Sequence, residues 1–88
     1  MNKGQRVRLV KTAPFCASEK AMQHLRETFG LEWINQMQND FEAQLKQAHV
    51  QIGSEGTAGD SFVDGFTEVV FDNTSFSMDI PLQLLEPA

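Results

Sequence analysis

Three side chains in this chain are of the kind that does nucleophilic or metal chemistry: Cys16, His24 and His49. A thiol attacks as its thiolate, and a helix opened by Ser18 would bring backbone N–H donors close to Cys16. Against that, Cys16 lies between Phe15 and Ala17, the setting of a small buried apolar side chain, and a lone cysteine without an identifiable histidine partner is weak ground for catalysis. Zinc sites are recognised by spacings such as C-x-x-C and H-x-x-x-H, and neither is present. His24 stands next to Leu25 on a helical stretch and reads as a surface or rim residue. The sequence thus assigns no catalytic, cofactor-binding or metal-ligating residue.

Two further patterns invite a chemical reading. Gly53, Gly56 and Gly59 recur every third residue, but a phosphate-cradling loop needs G-x-G-x-x-G or a following lysine and leads into a helix. The acids around these glycines would repel phosphate, so bends in an extended segment are the expected role. Asp60, Asp64, Glu68, Asp72 and Asp79 could pair as catalytic carboxylates or form a surface for a basic partner. General acid catalysis needs a carboxyl in an apolar pocket with a raised pKa, and these acids fall in turns or on outward strand positions. Asp60, Asp64, Glu68 and Asp72 are therefore expected to form a solvated acidic face.

The elements that hold these residues follow from periodicity. Val7 and Leu9 alternate with Arg6 and Arg8, which predicts a strand over about residues 4–10. Pro14 ends the extended run. Ser18 is a helix N-cap with Glu19 in the first turn, and Met22, Leu25 and Phe29 follow at helical spacing to Gly30, predicting a helix at about 19–29. Ile34, Met37, Phe41, Leu45 and Ala48, flanked by Trp33, predict a second helix from about Leu31 to Gln47. Its other face is rich in amides.

Beyond it the pattern turns extended: His49–Ile52 alternates, Asp64-Gly65 is a hairpin signal, and Val69 and Phe71 share one face. After a turn at residues 72–75, Phe76, Met78 and Ile80 alternate with Ser77 and Asp79 up to Pro81. Leu82, Leu84 and Leu85 predict a short 3₁₀ closing turn.

With 88 residues there is room for one domain and one modest core. Hydrophobic content of 41% and charged content of 22% are those of a globular chain rather than a disordered one. No apolar run reaches the roughly 20 residues of a membrane span, and no secretory signal follows the basic start. A single cysteine points to a reducing, cytoplasmic setting. Every Lys and Arg lies at or before Lys46, and all seven ionisable residues after Gln47 other than His49 are acids. The basic start, with Lys3, Arg6, Arg8 and Lys11, should attract the acidic C-terminal sheet. The overall acidity argues against nucleic acid as a partner.

Four stretches together resemble an SH3-like barrel of the KOW or nitrile-hydratase-accessory type. They are G-x-x-V-x-L at Gly4, Val7 and Leu9; the Gly56-Thr57 pair; V-x-F-D at Val69 to Asp72; and I-P-x-x-x-L-E from Ile80 to Glu86. Ala58 stands where the KOW pattern has Val, and a helical pair over residues 18–47 replaces the usual long loop after the first strand. The resemblance implies an α+β fold, a barrel of about five strands with a two-helix insertion after strand one. Such barrels serve many functions, so function must come from the surface.

The function expected is a small non-catalytic interaction or accessory module without cofactor. It would bind a protein partner, or itself as a homodimer, through Met22, Trp33, Met37 and Phe41 of the insertion and through the acidic face. Alternatives are a ligand or enzyme pocket between helices and barrel floored by Trp33 and Phe41, and RNA or ribosome contact through the basic first strand.

Overall fold

A computed structural model of the chain describes residues 2–60 and 65–88. Along the chain these form β1 (Arg6–Leu9), α1 (Glu19–Phe29), α2 (Leu31–Gln47), β2 (Glu55–Ala58), β3 (Phe66–Phe71), β4 (Met78–Pro81), a 3₁₀ turn (Leu82–Leu84) and β5 (Leu85–Pro87). The fold is α+β: two helices and one five-stranded sheet in the order β4-β3-β2-β1-β5, with every neighbouring pair antiparallel. Among the described residues no helix is long and apolar enough to cross a membrane.

Both helices start and stop where local chemistry directs. The Ser18 hydroxyl accepts the Ala21 N–H at 3.1 Å, satisfying one of the donors a helix start leaves open. Gly30 closes α1, its N–H donating to the Arg26 carbonyl at 2.9 Å, and immediately opens α2. Its φ of 91° lies where a β-carbon is strained, so this one residue lets two helices meet without a loop.

The inner face of the sheet carries Val7, Leu9, Ala58, Val69, Phe71 and Ile80, sealed by Leu84, Leu85, Val50 and Leu45. β2 lies so close to β3 that a β-carbon on Gly56 would fall 2.6 Å from the Val70 carbonyl oxygen and 2.8 Å from the Phe71 Cα. The glycine is there because two backbones approach, not because the chain bends.

A second, separate cluster joins Cys16, Met22 and Ile34, with Phe15, Ala21, Leu25 and Trp33 packed on it. This corrects the expectation of one core. The α2 stripe divides between the two clusters: Leu45 and Phe41, with Ala48 just past the helix end, pack on the sheet, while Ile34 and Trp33 pack with α1 and the β1–α1 connection.

Three strand expectations change. β1 spans only Arg6–Leu9, since Gly4 has φ 86° in a turn. His49–Ile52 is not extended: His49 has φ 56°, Gly53 has φ 97°, and Ile52 is 62% exposed between two turns. Phe76 precedes β4 and is 54% exposed rather than facing the core. Asp64 of the expected hairpin turn lies outside the described residues; Gly65 beside it has φ 84°.

Candidate functional site

The outer face of the sheet is an ion ladder set by register. Arg8 stands opposite Glu55 on one side and Glu86 on the other. It reaches Glu86 at 3.0 Å and Glu55 at 3.6 Å. Arg6 grips Asp72 through two hydrogen bonds of 2.8 and 2.7 Å, and also touches Thr57 and Glu55. Lys3 lies 3.7 Å from Asp60. The hydrogen bond from Arg6 holds the Asp72 carboxyl below its ordinary value, and the same contact raises the Arg6 guanidinium.

These pairs are solvent-exposed and screened by water and salt, so they contribute little to stability. Their importance lies in neutralisation: Lys3, Arg6 and Arg8 of the basic start are matched to Asp60, Asp72, Glu55 and Glu86 of the acidic sheet. Three of the four cations that suggested an RNA surface, Lys3, Arg6 and Arg8, are thus paired, two of them with Asp60 and Asp72 of the expected acidic face.

One pair stays outside this matching. Glu68 on β3 and Asp79 on β4 are direct cross-strand partners, and among the described residues neither has a basic partner. Like charges in such opposition cost stability. Asp64, the remaining member of the expected acidic face, lies outside the described residues.

A second surface feature caps the helical pair. Phe29, the last residue of α1, stacks on Trp33 with ring centroids 4.4 Å apart, and Phe15 meets Trp33 edge-on at 6.5 Å. Phe29 is 54% exposed and Leu31, just past the Gly30 junction, is 60% exposed. Both side chains therefore show large apolar area to solvent at the tip of the hairpin. Of the interface residues expected from the sequence, Trp33 belongs to this tip. Met22 is buried in the second cluster, Phe41 packs on the main core, and Met37 is half-buried. The spacing of Phe29 with Met22 and Leu25 reads as a core stripe, and Leu31 enters the sequence reading only as the start of α2, so neither signals surface.

The concave places lie elsewhere. An open depression of about 870 Å³ runs between α2 and the segment after it, bordered by Thr12, Glu42, Lys46, His49 and Ile52. Another of about 440 Å³ separates Gln44 and Gln47 of α2 from Phe76–Asp79. Neither is lined by Trp33 or Phe41, where the sequence suggested a pocket floor.

Cys16 is buried, its thiol 3.5 Å from the Ser18 carbonyl oxygen, and its own carbonyl accepts a hydrogen bond from Gln83. His24 and His49 are exposed on separate elements. Among the described residues no three His, Cys, Asp or Glu side chains gather as metal ligands.

Gln38 is another residue the sequence did not single out. Its side-chain oxygen accepts the Phe15 N–H at 2.8 Å while its amide donates to the Thr12 carbonyl at 2.8 Å and to Glu42 at 3.2 Å. It thereby pins the β1–α1 connection onto α2, and Gln83 does the same from the 3₁₀ turn. Compared with protein-family models, curated proteins and solved structures, the chain matches none.

Proposed function

We propose that this chain is a non-catalytic interaction module: an SH3-like barrel whose two-helix insertion presents a hydrophobic tip to a protein partner. The barrel reading is supported by β1 lying between β2 and β5 and by the 3₁₀ turn that leads into β5. The binding reading rests on one observation. Phe29 and Leu31 expose large apolar side chains around the stacked Trp33 at the junction of the two helices. Monomeric surfaces scatter such residues singly, whereas clusters beside an aromatic anchor are what partner-binding surfaces use.

The test is capture from cell extract with the wild-type chain and a Phe29→Ser/Leu31→Ser variant, read by quantitative mass spectrometry, with light scattering on both. A specific protein retained by wild type and lost by the variant supports the reading, as does a wild-type dimer that the variant converts to monomer. Identical captures and a monomeric mass for both proteins overturn it.

A further inference from the structure

The sheet ends at β4, and the direction of its unused backbone groups follows from the pairing. Glu68 donates its N–H to the Asp60 carbonyl at 3.2 Å and accepts the Gly59 N–H at 2.7 Å, so its backbone faces away from β4. Asp79, its direct partner, is then in a non-hydrogen-bonded pair, with N–H and C=O pointing outward to the open edge. Among the described residues nothing takes these groups. Beside them runs the 440 Å³ groove, with Phe76 on the strand side and the Gln44 and Gln47 amides on the helix side.

We propose that the β4 edge binds an extended peptide of alternating basic and apolar residues by strand addition. The occupant follows from charge. A second copy pairing β4 to β4 would bring Asp79 of each chain, with Glu68 behind it, toward the same charges on the other. A partner strand with lysine or arginine opposite Asp79 instead supplies the counter-charge that Glu68 and Asp79 lack. Because side chains alternate, its apolar residues then fall on the Phe76 and Met78 side. This deepens the interaction-module reading by naming a partner class for the acidic face, and it does not use the helical tip.

The probe is a fluorescent alternating lysine–valine peptide, with a glutamate–valine peptide as counterpart, titrated into the full chain. Wild type is expected to prefer the basic peptide by about tenfold or more at low salt. Backbone amide shifts in NMR should centre on Ser77–Ile80. Asp79→Lys places a lysine opposite Glu68, a pairing compatible with the fold, and should reverse the preference. N-methylating the lysine amides removes the donors that meet the Asp79 carbonyl and should abolish binding.

Equal affinity for both peptides, a preference unmoved by Asp79→Lys, full binding by the methylated peptide, or shifts centred on Phe29–Trp33 would each overturn strand addition. The Phe29→Ser/Leu31→Ser variant should bind the peptide as wild type does. Failure of the peptide alongside intact tip-dependent capture sinks this inference alone.

Discussion

Replacing Gln38 by leucine isolates the link between the β1–α1 connection and α2. Gln and Leu have similar helix propensities and similar size, so α2 itself is little affected. What is lost is one side chain that serves two backbone groups, the Phe15 N–H and the Thr12 carbonyl, at 2.8 Å each. A backbone group left unpaired in a buried site costs about 1–3 kcal/mol. Both groups lie in half-buried residues, where water can partly replace the amide, so the two together should cost about 1–2 kcal/mol. Urea unfolding followed by Trp33 fluorescence should show a lower midpoint with an unchanged slope, and hydrogen exchange should quicken at the Phe15 amide. Gln36→Leu, which breaks only a bond to Asp40 within the helix, is the control and should cost about 0.5 kcal/mol or less. If Gln38→Leu behaves like that control and Phe15 keeps its protection, the connection is held by the Phe15–Trp33 packing and not by the amide.

Gly56→Ala should destabilise by about 1–3 kcal/mol or prevent folding, because the added carbon meets the backbone of Val70 and Phe71 rather than a flexible side chain; a variant with wild-type melting temperature refutes that close approach. The Asp72 contribution is present above the ordinary carboxylate range and fades as pH falls through its lowered folded-state value, so stability should slope downward on the acid side. Asp72→Asn should lose that contribution at neutral pH and converge with wild type on the acid side, so its slope is flatter, and identical pH profiles for the two proteins would show that the Arg6 contact carries no linkage. The helical tip and the β4 edge supply two more, each with its own assay above.

The helices were readable because their signals are local. Ser18, the three-and-four spacing and Gly30 specify caps and a buried stripe without reference to anything distant. The same periodicity says which face of α2 is covered but not by what, so Ile34 and Leu45, on one stripe, proved to serve different cores. Four residues of alternation do not by themselves decide a strand: Arg6–Leu9 forms one, whereas His49–Ile52 alternates yet is bounded by positive φ at His49 and at Gly53, which turn the chain at either end.

Surface character was least legible. Attraction between the basic start and the acidic sheet was legible, but not which acids it reaches: Asp72 and Asp60 meet Arg6 and Lys3, more than fifty residues away, through the sheet register. Thr67 was passed over for a similar reason. It is polar, yet it sits at an inward strand position and is 1% exposed. Gln38 looked like one more amide on a wet helix face, since nothing in α2 reveals that the β1–α1 connection lies over it.

The placement of β1 between β2 and β5 has a consequence for biosynthesis. Arg8 pairs with Glu86 across 78 residues, so β1 takes its second neighbour from a segment synthesised long after it. The helical hairpin, with contacts only a few residues apart, can form in the meantime. Completion of the sheet must await the emergence of β5. Until then the β5-facing edge of β1 has unpaired backbone groups.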